Sequence, residues 1–222
     1  MAQADDHHDG VFVVFEGIDG AGTTTQSQRY AAWLRARRRL AHVTREPSGG
    51  PMGSLLRLVI TQRVSLPATH RDAAMALLFA ADRLDHVESE INPHLRDGYV
   101  VISDRYDLSS VIYQSMSGAD EGPERTAFAA WIRDCNRYAR RPDVTVVLDV
   151  SPEVAAQRRR NRGGASELFE EAELQAKLAR AYLKAEEILP GDRIVHVDGD
   201  ADVDAVAAAV IEALAPFVKE GP

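Results

Sequence analysis

Short runs of β-branched and aromatic residues alternate along the chain with longer stretches whose apolar positions recur at helical spacing. Residues 11–16, 42–45, 99–103, 144–150 and 193–197 read as strands. Residues 24–39, 69–96, 108–116, 124–140, 168–189 and 203–218 read as helices. A further helix opens at Ser151-Pro152, an N-cap followed by a first-turn proline. Thr69 and Asp72 form a start resembling a capping box, Gly98 closes the same long segment, and Pro142 stops the one before the fourth strand. Near-continuous apolar strands separated by helices predict a parallel sheet covered on both faces. The expectation is therefore a three-layer α/β domain over residues 10–219, built on five strands, with residues 1–9 as a disordered tail.

Composition narrows the function more than the fold. The chain has 222 residues, a formal net charge of −8, 27% charged and 45% hydrophobic residues, which excludes disordered, collagen-like and coiled-coil readings. Cys135 is the only cysteine, so neither an internal disulfide nor a thiolate metal site is available and a reducing cytoplasm is expected. The longest apolar run, residues 73–81, falls far short of the ~18 residues of a membrane span. The acidic start does not read as a signal peptide, and His7 and His8 within it read as inert. Of 26 basic residues only Lys177, Lys184 and Lys219 are lysines; the other 23 are arginines, suited to gripping phosphate in pairs of hydrogen bonds. Net acidity argues against coating nucleic acid, but not against small anions held by local arginines.

The first strand runs into Gly17-Ile18-Asp19-Gly20-Ala21-Gly22-Thr23-Thr24-Thr25. Against the pattern G-x-x-x-x-G-K-[ST], Gly17 and Gly22 match, Thr24 fills the hydroxyl position, and Thr23 stands where lysine is expected. Such a loop turns backbone N–H groups toward a polyphosphate at the positive end of a helix, with the Thr24 hydroxyl on Mg²⁺. The missing lysine removes a full charge from that cradle.

Other segments carry chemistry with alternatives attached. Phe79 and Arg83 share a helix face, suited to stacking on a base and meeting its carbonyl or phosphate, or else to a packed core. Asp104-Arg105 follows the third strand at the carboxyl edge where open α/β sheets bind ligands. A carboxylate there holds Mg²⁺ through water and an arginine clamps a phosphate; a surface ion pair is the plain alternative. The run Arg158-Arg159-Arg160-Asn161-Arg162 ends at Gly163-Gly164, which fits a hinged flap over phosphates or a solvated helix end. The Arg35–Arg39 run sits at a helix C-terminus, where basic side chains meet the helix dipole.

Taken in order, Phe15-Glu16-Gly17-Ile18-Asp19-Gly20-Ala21-Gly22, Thr44-Arg45-Glu46-Pro47, Leu78-Phe79-Ala80-Ala81-Asp82-Arg83, Ser103-Asp104-Arg105-Tyr106 and the arginine run with Phe169-Glu170 resemble thymidylate kinases over residues 11–215. The resemblance implies a three-layer kinase fold with a short arginine-rich lid at about 158–168, and transfer of phosphate from MgATP to dTMP on the way to dTTP. It implies that residues 17–25 bind ATP and that Asp19, Arg45, Phe79, Arg83, Arg105, Ser110, Tyr113 and Gln114 bind the acceptor. Thr24 and Asp104 would serve the metal, and Arg105, Arg158 and Arg162 catalysis. Ser109 is either a further contact or a helix cap. A homodimer is implied, with ATP and dTMP as ligands and with neither nucleic acid nor membrane as partner. Another nucleoside monophosphate or deoxynucleoside kinase remains an alternative, as does a nucleotide-binding module silenced by Thr23. No Asn-Lys-x-Asp segment for guanine is present, which disfavours a GTPase.

Overall fold

A computed structural model describes residues 10–116, 122–161 and 169–218. The five expected strands form: β1 (Val11–Glu16), β2 (Ala41–Arg45), β3 (Val100–Asp104), β4 (Val144–Asp149) and β5 (Ile194–Asp198). They pair all-parallel in the order β2-β3-β1-β4-β5. Strict alternation along β1 explains why its sequence is apolar throughout. Val13 and Phe15 enter a core packed with Tyr30, Leu34, Leu178 and Val210, whereas Phe12 and Val14 enter a second core with Ile91, Leu95 and Tyr106.

Helices α1 (Thr23–Ala36), α2 (Pro51–Ile60), α3 (Arg71–His86), α4 (Asn92–Arg96), α5 (Asp107–Met116), α6 (Pro123–Cys135), α7 (Pro152–Asn161), α8 (Phe169–Tyr182), α9 (Ala185–Ile188) and α10 (Val203–Leu214) complete the described elements. Several depart from the expectation. α2 was not anticipated, because Gly49-Gly50-Pro51 and Gly53 read as a loop; Gly53 is buried where a Cβ would collide with the backbone of Ser48. The 69–96 helix is three pieces, α3 and α4 being joined by a π turn at Val87–Ile91 just ahead of Pro93, which cannot donate to an i−4 carbonyl. Its capping box does not form: a 3₁₀ turn at Ala68–His70 leads in, and no side chain caps α3. The predicted 124–140 helix stops at Cys135, where Asn136 turns back to donate to the Ile132 carbonyl at 2.8 Å. By contrast Gly98 closes α4 as expected, with φ +79 and paired bonds from Gly98 N to Leu95 O and Tyr99 N to His94 O.

In register, Phe15 of β1 and Arg45 of β2 both lie level with Asp104 of β3. Beyond these strand ends the chain leaves the β2–β3 side of β1 for the β4–β5 side, the place where open α/β sheets hold ligands. No helix among the described residues is long and apolar enough to cross a membrane.

Candidate active site

The site begins where β1 ends. Gly20 and Gly22 both take φ +96, a backbone conformation that costs L-residues about 1–2 kcal/mol and glycine little. They fold the loop so that α1 starts with no capping side chain and no acidic residue in its first turn. The N–H groups of that turn are left to an anion. In front of it lies a cavity of about 420 Å³ lined by Gly22, Thr23 and Thr24 of the loop, Arg45 of β2, and Asp104 and Arg105 after β3. Asp19 and Arg159 complete its wall.

Thr24 donates its hydroxyl to Oδ2 of Asp104. The other oxygen, Oδ1, is buried and has no hydrogen-bond partner among the described residues. A hydroxyl and a half-satisfied carboxylate at a phosphate cavity suit a hard divalent cation such as Mg²⁺.

Arg105 adopts φ +78, rare for a residue with a side chain, and its contacts hold it there. Its guanidinium donates to the Gly17 carbonyl, to Asp19 Oδ1 at 3.1 Å and to the Tyr182 hydroxyl at 3.2 Å. Behind it the fully buried Glu16 accepts from the backbone N–H of Tyr106 at 2.9 Å and of Ser109 at 3.2 Å, and from the Ser109 hydroxyl. Burial raises the Glu16 pKa, while Arg105 and Ser109 pull against it. Burial likewise raises the Tyr113 phenol, which faces Arg105 and Asp19, so it stays an O–H donor at neutral pH.

A second polar layer lies below. Arg83 is fully buried, pairing with Glu46 at 2.5 Å, bonding Asn136, and reaching Ser110 at 3.4 Å. Beside it Asp82 accepts from the backbone N–H of Ser48 at 2.8 Å and from its hydroxyl at 2.5 Å, pinning the turn after β2. Phe79, four residues before Arg83, is half-buried, as is Gln114 on α5.

These placements sort the expected residues. Asp19, Thr24, Arg45, Asp104 and Arg105 converge on the cavity. Ser110 and Arg83 belong to the layer beneath. Arg158 turns instead to Ala21 O at 3.3 Å and Ala201 O at 3.1 Å, lining a separate cavity of about 280 Å³ between the loop and α10. Arg162 lies outside the described residues, with most of the 158–168 segment. Ser109 proves to be a Glu16 partner. Three residues escaped the sequence reading: Glu16, Tyr182 and Arg159. Glu16 had a signal, a carboxylate ending an otherwise apolar buried strand, which demands partners. Tyr182 had none, because its partners lie far away in the chain.

A family model described as thymidylate kinase matches residues 15–210. The chain belongs to the thymidylate kinase family. It is 40% identical over 209 residues to a probable thymidylate kinase of Thermococcus kodakarensis, covering 92% of this chain and 98% of the relative. It is 37% identical over 206 residues to a thymidylate kinase of Ruegeria pomeroyi, covering 91% and 93% of the two chains. A probable thymidylate kinase of Pyrobaculum aerophilum is 37% identical over 210 residues, covering 94% and 98%.

Proposed function

We propose that this member of the thymidylate kinase family moves the γ-phosphoryl group of ATP to dTMP, giving dTDP for dTTP synthesis. A phosphate oxygen of dTMP attacks the γ-phosphorus, the bond to the β,γ-bridging oxygen breaks, and ADP leaves. No protein nucleophile is required, so catalysis rests on alignment and charge neutralisation. The loop N–H groups and the start of α1 bind the donor phosphates. Arg45 and Arg105 hold the acceptor phosphate, and Asp19, which fixes Arg105, borders the sugar. Phe79, Tyr113, Gln114 and Ser110 form the base and sugar pocket, with Arg83 setting its floor through Glu46 and Ser110. Thr24 and Asp104 are the residues that would hold Mg²⁺, which neutralises phosphate charge when bound. The arginine-rich lid, Arg158 and Arg162 included, closes over the donor, and the enzyme works in the cytoplasm as a homodimer.

The observation that carries this reading is one cavity at the carboxyl edge of the sheet. It combines an uncapped helix start, an unsatisfied carboxylate oxygen beside a threonine hydroxyl, and two arginines entering from β2 and the β3–α5 turn. Thr23 keeps one second reading in play, a nucleotide-binding module without turnover. The test is ADP release with MgATP and dTMP against dUMP, dCMP, dGMP and AMP. Turnover selective for dTMP is expected. Preference for another monophosphate would reassign the acceptor, and tight dTMP binding with no turnover would favour the module. Asp104→Asn should raise the Mg²⁺ concentration giving half-maximal rate.

A further inference from the structure

Thr23 leaves the first turn of α1 without the cation that the loop pattern supplies. Among the described residues, the cations lining the phosphate cavity are Arg45, Arg105 and Arg159. Arg45 and Arg105 come from strand ends level with one another and are assigned to the acceptor. Arg159 comes from α7, across the loop, and has no assignment.

Its position follows from backbone contact. A Cβ on Gly20 would lie 2.5 Å from the carbonyl oxygen of Ala155 in α7, so helix and loop are as close as glycine permits. Arg159 stands four residues beyond Ala155, on the same helix face, and is thereby carried over the loop. Its guanidinium donates to the Asp19 carbonyl. Arg105 and Arg158 hold the Gly17 and Ala21 carbonyls in the same way, so alternate carbonyls of the loop are each capped by an arginine. Because a trans peptide sets C=O and the following N–H in opposite directions, the N–H groups of Ile18, Gly20 and Gly22 point away from those arginines. Of the two α7 arginines, Arg158 faces the separate cavity near α10, whereas Arg159 faces the phosphate cavity beside Thr23.

We propose that Arg159 delivers from α7 the donor-phosphate charge that a lysine at position 23 would deliver from α1. The proposal rests on reading the cavity as the phosphate site of a kinase. As the γ-phosphoryl group leaves ADP, negative charge gathers on the β-phosphate oxygens, and Arg159 releases the Asp19 carbonyl to meet it.

The test compares kcat and both KM values for the full-length chain, Arg159→Ala, Arg159→Gln, Arg159→Lys, Thr23→Lys and the Arg159→Ala/Thr23→Lys pair, with thermal melts as folding controls. Arg159→Ala and Arg159→Gln should lower kcat by about 10²–10³-fold while leaving the dTMP KM within about threefold. Arg159→Lys should retain at least about a tenth of the rate. Thr23→Lys should raise the Arg159→Ala rate by about tenfold or more yet change the parent by less than about threefold, since both cations serve one charge. Equal factors for Thr23→Lys in both backgrounds, or a folded Arg159→Gln with near-parental kcat, would overturn the proposal while leaving the kinase intact. A parent chain and a Thr23→Lys variant that are both idle with dTMP would instead remove the kinase reading, and the proposal with it.

Discussion

The hydroxyl of Tyr182 lies 3.2 Å from Nη1 of Arg105, joining residues 77 apart in the chain. The same hydroxyl is 2.9 Å from the Ser109 hydroxyl and 3.3 Å from the Glu16 carboxylate. One phenol thus ties the end of α8 to the end of β1, the start of α5 and the arginine of the cavity. Burial holds its pKa well above the usual phenol value, so it remains protonated and can accept from Arg105 while donating to Glu16 or Ser109.

Tyr182→Phe keeps the ring in the larger core and removes only this junction. We expect a stability loss of about 1–1.5 kcal/mol, the value of a buried hydrogen bond with a charged neighbour nearby. Because Arg105 then loses one of its positioning contacts, kcat should fall about tenfold with KM for dTMP little changed. Urea denaturation and steady-state kinetics measure the two effects. An unchanged kcat would mean that Gly17 and Asp19 alone set the guanidinium.

Gly20 and Gly22 separate two costs that are often confused. Both have φ +96, but a Cβ at Gly22 meets nothing within 4 Å, whereas one at Gly20 strikes the Ala155 carbonyl. Gly22→Ala should cost about 1–2 kcal/mol, the conformational penalty alone. Gly20→Ala should cost more and should also depress kcat, because α7 must move away from the loop. Equal destabilisation of the two variants would show that the contact between α7 and the loop yields without effort.

What could be read from sequence follows from the range of the interactions involved. The strands were legible because burial on both faces demands unbroken apolar runs, as Phe12-Val13-Val14-Phe15 displays. Thr24, Asp104 and Arg105 were legible because each is fixed locally, at a helix start or a strand end. Ends of helices were less so: Pro93 and the π turn divide a segment whose apolar spacing runs on regardless. Arg158 and Arg159 could not be told apart, since adjacent helical residues point about 100° apart and only the docking of α7 says which faces the cavity. Arg83, four residues from Phe79, looked ready to reach a ligand; its commitment to Glu46 and Asn136 depends on two distant elements.

His196 of β5 supplies a pH dependence outside the cavity. Its Nδ1 is 2.9 Å from the Asp149 carboxylate and its Nε2 3.3 Å from Glu186. Burial opposes the imidazolium, but Asp149 and Glu186 outweigh it and raise the pKa above 6.5. A raised folded-state value means that the stabilisation is fully present below pH 6.5 and is lost as the pH rises through the higher folded value. His196→Gln should therefore flatten the fall in the urea midpoint on the alkaline side of pH 6.5, with little change in kcat. A steeper fall in the variant would contradict the assignment.

The Arg83–Glu46 pair tests what holds the floor of the site. Its side chains are 0% and 2% exposed, against 41% and 79% for the surface pair Arg29–Asp204. Removing Arg83 as Arg83→Met strands the Glu46 carboxylate in a place water does not reach, and should cost about 3–5 kcal/mol. Arg29→Met should cost less than about 1 kcal/mol, since solvent screens the exposed partner. Adding Glu46→Gln to Arg83→Met should then recover part of the loss, because the stranded charge rather than the broken bond is the larger cost. Denaturation of the single and double variants at low and high salt decides it. If the double variant is no more stable than Arg83→Met, the loss lies in packing around Tyr106, whose ring the guanidinium covers at 5.0 Å, and not in the unpaired carboxylate.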